Sequence, residues 1–314
     1  MIYKNILECI GHTPLIELTK INKTKSRVFV KAEFMNPAGS MKDRPALNMI
    51  EEAEKSGVLK KGQTVMEVTS GNTGIGLAMV CAFKGYKFKV LMSVASNPER
   101  QKILKAYGAE LVLVPQCPTS TPGISNEDDF AKVKEYGEEL AKDPNIFYVR
   151  QFTNENNSKA YEKTLAKEIV EQLGRSPDYF TTVVGTAGNF IGTASGLKAI
   201  NKNTKCIVAE SDGMEIIAGK EIKRKSTKLQ GAAHISVPKL WKKEVNDDCI
   251  VISDEEAKIW ANKLAKEEGI LVGYTSGANV AAAMKLAEKA KEGSYIVTLL
   301  PDSGSRYFGS DLFD

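Results

Sequence analysis

Short β-branched runs alternate with amphipathic stretches along nearly the whole chain, and this alternation restricts the fold more than any other feature of the sequence. Segments 28–31, 65–68, 88–92, 111–114, 181–184, 206–209 and 295–300 have strand length and are rich in Val, Ile, Leu, Phe and Thr. Strands that are apolar on both faces need cover on both, which parallel sheets with crossover helices provide. The helices fill the gaps: residues 99–104 stop short of Gly108, and an apolar stripe from Asn157 to Leu173 stops before Gly174. The expected class is therefore α/β.

A chain of 314 residues, at about 150 per domain, predicts two domains, each large enough to bury a core. No repeat or low-complexity tract interrupts the pattern. The longest irregular stretch is 115–126, punctuated by Pro118, Pro122 and Gly123, and loops of that length are commonly functional or mobile. The net charge of +4 is slight, and the densest basic run, Lys220 to Lys225, reads as a solvated face rather than a nucleic-acid site. No signal-peptide pattern opens the chain, and no apolar run reaches the roughly 18 residues a membrane helix needs, so a cytoplasmic protein is expected. Cysteines 9, 81, 117, 206 and 249 form no Cys-x-x-Cys pair, and His12 and His234 are the only imidazoles. That set fits reduced thiols better than a metal site or disulfide framework, with Cys117 the thiol expected to be exposed.

Two motifs carry chemistry. In Asn36-Pro37-Ala38-Gly39-Ser40-Met41-Lys42-Asp43-Arg44 a lysine stands between a Gly-Ser turn and an apolar helical run. Ser40 is expected to cap that helix and Lys42 to lie in its first turn, where the positive end of the helix dipole favours a neutral, nucleophilic amine. The bland alternative is a solvated lysine. In Thr69-Ser70-Gly71-Asn72-Thr73-Gly74-Ile75-Gly76 a strand gives way to a helix expected from Ile75, and the short hydroxyls and N–H groups of such a junction suit an anion. Its glycine spacing is neither the dinucleotide Gly-x-Gly-x-x-Gly nor a P-loop.

Together the two motifs resemble the cysteine synthase and cystathionine β-synthase family of pyridoxal 5'-phosphate enzymes (fold type II). The resemblance extends through Gly11-His12-Thr13-Pro14-Leu15, Gln151-Phe152, Gly185-Thr186-Ala187-Gly188-Asn189, Gly273-Tyr274-Thr275-Ser276-Gly277-Ala278 and Pro301-Asp302-Ser303-Gly304. It implies two three-layer α/β domains with mainly parallel sheets, the small domain nested in the large one and the cofactor in the cleft. Residues 1–45 and 155–314 would form the large cofactor-binding domain, and 46–154 the small, mobile, substrate-closing one.

The resemblance also implies roles. Lys42 would hold the cofactor as an imine and move the substrate α-proton. Asn72 would bond the ring hydroxyl oxygen, and Thr69, Ser70, Gly71, Thr73 and Gln151 would bind the substrate carboxylate. Gly185, Thr186, Ala187, Gly188 and Asn189 would hold the phosphate at a helix beginning near Phe190. Thr275 would face the pyridine nitrogen. A hydroxyl there makes the ring a weaker electron sink than a carboxylate would, favouring β-elimination to an aminoacrylate and addition of a nucleophile over transamination. The implied activity is β-replacement or β-elimination on cysteine or O-acetylserine, with hydrogen sulfide made or used, by a homodimer.

The chain departs from the family pattern in four places. Ala187 and Asn189 replace a glycine and a threonine of Gly-Thr-Gly-Gly-Thr, a modest change if φ at Ala187 is negative. Ser93-Val94-Ala95-Ser96-Asn97-Pro98 replaces a Met-Pro-x-x-Met-Ser segment, Gly231 to Pro238 replaces a glycine-rich loop over the substrate, and Tyr161 stands where histidine is common. These changes at the expected pocket rim point to a different second substrate or direction of flux: a cysteine-consuming, sulfide-releasing lyase or a lanthionine- or cystathionine-forming synthase. His234 could guide the leaving group or incoming nucleophile; the plain alternative is a surface histidine. A dehydratase or racemase would show Ser-Phe-Lys and Ser-Ser-Gly-Asn-His instead, and a non-catalytic sulfide sensor or acetyltransferase partner fits poorly with Lys42, Asn72 and Thr275 intact.

Overall fold

The computed structural model describes residues 2–118, 120–121, 127–224, 226–229, 231 and 236–314. In chain order the strands are β1 (Leu15–Glu17), β2 (Arg27–Lys31), β3 (Thr64–Val68), β4 (Lys87–Ser93) and β5 (Glu110–Val114), then β6 (Ile146–Tyr148), β7 (Tyr179–Val183), β8 (Lys205–Ser211), β9 (Asp248–Ile252) and β10 (Tyr295–Leu299). The helices are α1 (Asp43–Lys55), α2 (Asn72–Lys84), α3 (Pro98–Ala106), α4 (Glu127–Leu140), α5 (Asn156–Lys163), α6 (Leu165–Leu173), α7 (Gly188–Ile200), α8 (Asp254–Lys263) and α9 (Tyr274–Lys289).

These elements divide into two compact units, one of Met1–Ile10 with Lys42–Asn156, the other of Gly11–Met41 with Asn157–Asp314. The first holds a parallel sheet in the order β5-β4-β3-β6. Met66, Val68, Leu91, Val114 and Val133 form a core beneath it. The second holds a sheet in the order β1-β2-β10-β7-β8-β9, parallel except for the β1–β2 pair. One of its cores gathers Phe180, Phe190, Leu165, Ile169 and Val297. The α/β class with mainly parallel sheets read from the sequence is the architecture found. β1, β6 and β9 carried no signal strong enough to be expected; β1 and β6 have three residues each.

Three expectations need correction. The stripe from Asn157 to Leu173 is two helices, not one: Thr164 (φ −120°, ψ −68°) separates α5 from α6, and its hydroxyl donates to Ala160 O at 2.7 Å, the back-bonding that lets threonine compete with a helical ladder. Ser40 does not cap α1. It is fully buried in a bridge to Asp302, and Lys42, in helical conformation (φ −76°, ψ −12°), takes the capping position without a side-chain bond. α2 starts at Asn72, three residues before the expected Ile75, because extended Gly71 (φ −123°, ψ −158°) serves as its N-cap. The 115–126 stretch lies partly outside the described residues; of the rest, buried Asp129 accepts from Cys117 N at 2.6 Å and from Ser120 Oγ at 2.9 Å, and Cys117 is half-buried.

Candidate active site

The first unit collects Lys42, the Thr69–Thr73 junction and Gln151. β3 ends at Val68, so Thr69, Ser70 and Gly71 form the link to α2, whose first residues are Asn72 and Thr73. Thr69 N–H donates to Leu91 O at 3.0 Å, and the Thr69 hydroxyl accepts from Gly71 N–H at 3.2 Å. Thr73 Oγ1 donates to Gln151 Oε1 at 2.7 Å, and Gln151 Nε2 donates to Val68 O at 3.4 Å. Gln151, distant in sequence, is thus held against Thr73 at the start of α2, a place that favours an anion. Ser70 is exposed, and its carbonyl accepts from Arg100 Nη1 at 3.4 Å.

The glycines after Asn72 serve packing. A Cβ on Gly74 would lie 2.9 Å from Thr69 Cγ2, and one on Gly76 would lie 3.1 Å from Lys42 O and 3.2 Å from Ala46 Cβ. Gly76 therefore lets α2 approach the backbone of Lys42. The Ser93–Pro98 segment is a turn that ends in a cap: Asn97 Oδ1 accepts from Glu99 N at 2.8 Å and Arg100 N at 3.3 Å, with Pro98 at the helix start.

Beneath this junction lies a group the motifs did not mark. Glu67 is fully buried on β3; Oε1 accepts from Val68 N at 2.8 Å and Oε2 from Gln151 N at 2.9 Å. Burial pushes its carboxyl up to about 8, opposed by these two bonds and by the Arg150 guanidinium. A glutamate inside the apolar run Thr64-Val65-Met66-Glu67-Val68 was the available signal.

The second unit collects the Gly185–Asn189 loop and the start of α9. α7 starts at Gly188, two residues before the expected Phe190, and Ala187 caps it at φ +67°. The expected negative φ is therefore wrong: the family's glycine belongs here, and this chain carries a methyl group in the left-handed region. A Cβ on Gly185 would lie 2.2 Å from Gly231 O, and one on Gly188 would lie 2.4 Å from Asn157 Oδ1. Asn157 Nδ2 donates to Thr186 Oγ1 at 3.1 Å, and that hydroxyl also accepts from Gly188 N–H at 3.3 Å. Asn157 was missed because no motif accompanies it.

Asn279, fully buried on α9, accepts from Val183 N at 2.7 Å and donates to Leu299 O at 2.8 Å, tying α9 to the ends of β7 and β10. At the start of α9, Thr275 is half-buried and the adjacent Ser276 fully so. The Ser276 hydroxyl and the Asn189 Nδ2 group are both buried with no hydrogen-bond partner among the described residues. An orphaned amide donor at the start of a helix suits a phosphate, and an orphaned hydroxyl suits a ring nitrogen, so these residues fit a phosphorylated pyridine. Sequence could not tell which of two adjacent hydroxyls turns inward.

Tyr161 is not at a pocket rim. It is fully buried in a core, and its hydroxyl donates to the carbonyl of Met41, the residue before Lys42, at 3.1 Å. Arg306 donates to Ala38 O, and a Cβ on Gly39 would lie 2.9 Å from Arg306 Nη2, so the carboxy-terminal segment packs on the same loop. His234 lies outside the described residues. Among the described residues no cluster of His, Cys, Asp and Glu could hold a metal, and no helix is long and apolar enough to cross a membrane.

The family model for pyridoxal-phosphate dependent enzymes matches residues 6–302. The chain belongs to that family. Among its relatives is the cysteine synthase of Staphylococcus aureus, 38% identical over 98% of this chain and 96% of that protein. O-ureido-L-serine synthase of Streptomyces lavendulae is 37% identical over 100% of this chain and 93% of its own. The solved structure of a hydrogen sulfide-producing enzyme from Fusobacterium nucleatum superposes with a TM-score of 0.89 at 37% identity, covering 98% of this chain and 100% of that one. As a pyridoxal-phosphate dependent enzyme of the cysteine synthase group, the protein is a β-replacement enzyme acting on a small amino-acid substrate.

Proposed function

We propose that the protein catalyses β-replacement or β-elimination on L-cysteine or O-acetylserine, consuming or releasing hydrogen sulfide. The observation that carries this reading is the Thr73–Gln151 pair at the start of α2, beside Thr69, Ser70 and Gly71. It gathers donors for an amino-acid carboxylate on the unit that contains Lys42. The relatives support it: one makes cysteine, one makes O-ureido-L-serine and one produces hydrogen sulfide, and both named products are alanines substituted at Cβ.

Pyridoxal phosphate, when bound, supplies an electron-withdrawing ring beside Cα that lowers the cost of removing the α-proton. Lys42 would hold the cofactor through Nζ and would serve as the base for the α-proton. Asn72 would bond the ring hydroxyl oxygen, and Thr69, Ser70, Gly71, Thr73 and Gln151 would bind the substrate carboxylate. Gly185 to Asn189 would hold the phosphate through backbone N–H groups, the Thr186 hydroxyl and the Asn189 amide. Thr275, or the orphaned Ser276 beside it, would supply the hydroxyl for the ring nitrogen, and His234 would serve the second substrate. The protein works as a cytoplasmic homodimer.

Sulfide measurement tests the reading. Holoenzyme is incubated with L-cysteine alone and with O-acetylserine plus sulfide. Uptake in the second mixture identifies a sulfhydrylase, and release in the first without uptake in the second a sulfide-releasing lyase. No change in either overturns the proposal.

A further inference from the structure

Glu67 holds a position that neither the motifs nor the proposed chemistry uses. Its two oxygens accept from two backbone N–H groups, Val68 at 2.8 Å and Gln151 at 2.9 Å, so one buried side chain joins the end of β3 to the turn after β6. Arg150, immediately before Gln151, has φ +59°, a left-handed conformation that a non-glycine residue keeps only when its surroundings hold it there. Thr153 and Asn154 N–H both donate to Arg150 O at 3.0 and 2.9 Å, closing the turn behind it. Gln151 then reaches Thr73 at 2.7 Å. The chain of contacts runs Glu67, Gln151, Thr73.

We propose that Glu67 is a positioning residue for substrate binding: by gripping Gln151 N–H it fixes the strained Arg150 turn and places the Gln151 amide against Thr73 at the start of α2. The inference rests on the reading that Thr73 and Gln151 bind the substrate carboxylate. Its ionisation gives it a pH handle. Both oxygens accept in the geometry seen, which a carboxylate does strongly at each and a carboxylic acid does only weakly at its hydroxyl oxygen.

The groups facing Glu67 are few. Arg150 favours its charge, and Glu138 on α4 holds the Arg150 guanidinium; Tyr148 on β6 lies within electrostatic reach. Its register partner on β4 is Val90, α4 places Gly137 against Val68, and α2 carries no acidic or basic residue before Lys84, which pairs with Glu54. Desolvation is the largest influence, so the carboxyl ionises at about 8, and amino-acid affinity should strengthen as pH rises through that value.

The test titrates holoenzyme with L-serine, which carries only a poor leaving group on Cβ, following the change in cofactor absorption. Wild type, Glu67→Gln and Gln151→Ala are compared across about pH 6.5–9.5. Glu67→Gln should weaken L-serine binding about ten-fold at high pH and progressively less at low pH, the loss expected for one charge-assisted bond. With the preferred β-substrate, KM should rise by the same factor while kcat stays within about two-fold. Ionisation of the L-serine amine is common to both proteins and cancels in the ratio. A ratio independent of pH, or equal affinities while Gln151→Ala is weak, overturns the Glu67 proposal. Unchanged binding by Gln151→Ala instead overturns the carboxylate reading itself. Should Glu67→Gln not fold, the backbone amide resonance of Gln151 in wild-type holoenzyme labelled with 15N-glutamine gives the same decision: it titrates near pH 8 if Glu67 grips it, and a flat trace overturns the proposal.

Discussion

Replacing Gly188 by alanine tests how the loop proposed to hold the phosphate is braced. The new Cβ would lie 2.4 Å from Asn157 Oδ1, 2.6 Å from its Cγ and 3.0 Å from its Nδ2, about 1 Å inside van der Waals contact. Asn157 is buried at 3% exposure, so the amide has no open path away, and its bond to Thr186 Oγ1 breaks if it turns. Overpacking costs about 1–3 kcal/mol and the lost bond about 1 kcal/mol, so holoenzyme stability to urea should fall by about 2–4 kcal/mol. Cofactor affinity should fall with it, because Thr186 is the hydroxyl of the loop. The decisive comparison is a cycle with Asn157→Ala. Removing the clashing amide should recover stability, leaving Gly188→Ala/Asn157→Ala above Gly188→Ala alone, with a coupling of about 1–2 kcal/mol. Additive costs, or a Gly188→Ala protein with wild-type stability and affinity, would refute the reasoning.

Ala187→Gly should raise stability by about 1 kcal/mol, because relief of the left-handed strain exceeds the added freedom of the unfolded chain; a loss would show that the buried methyl packs better than φ +67° suggests. Tyr161→Phe should cost about 1 kcal/mol and lower kcat more than KM, since the lost bond holds the carbonyl preceding Lys42; equal activity would separate Tyr161 from the lysine loop. Glu67 also predicts a pH dependence of folding. Its carboxyl is raised from 4.5 to about 8, so the stability it contributes is fully present below pH 4.5 and is lost as pH rises through about 8. Urea unfolding of wild type against Glu67→Gln should show the wild type losing stability relative to the variant as pH rises from 4.5 to about 8. Parallel curves would mean that the carboxyl is relaxed by solvent.

The fold was legible because apolar strand runs and helical stripes have different periods, and each run needed cover on both faces. What escaped was short or conditional. β6 has three residues and gains its place only by pairing with β3, and the break at Thr164 depends on a hydroxyl turning back onto Ala160. Among the candidate functional residues, Lys42, Asn72, Gln151 and the 185–189 loop announced themselves through motifs. Asn157, Glu67, Asn279 and Ser276 did not, because each acts through a buried hydrogen bond, or an unfilled one, that only tertiary contact creates. Ala187 misled for the opposite reason: composition reports a side chain, and the backbone angle it must adopt is set by the loop.

The central claim is that Lys42 carries the cofactor. Holoenzyme is reduced with borohydride, digested, and the pyridoxyl-modified peptide identified by mass spectrometry, alongside Lys42→Ala treated in the same way. The account predicts one modified lysine, Lys42, and loss of both the label and the bound-cofactor absorption of the wild type in the variant. A label on another lysine of the reduced wild type, or wild-type labelling in Lys42→Ala, would contradict it.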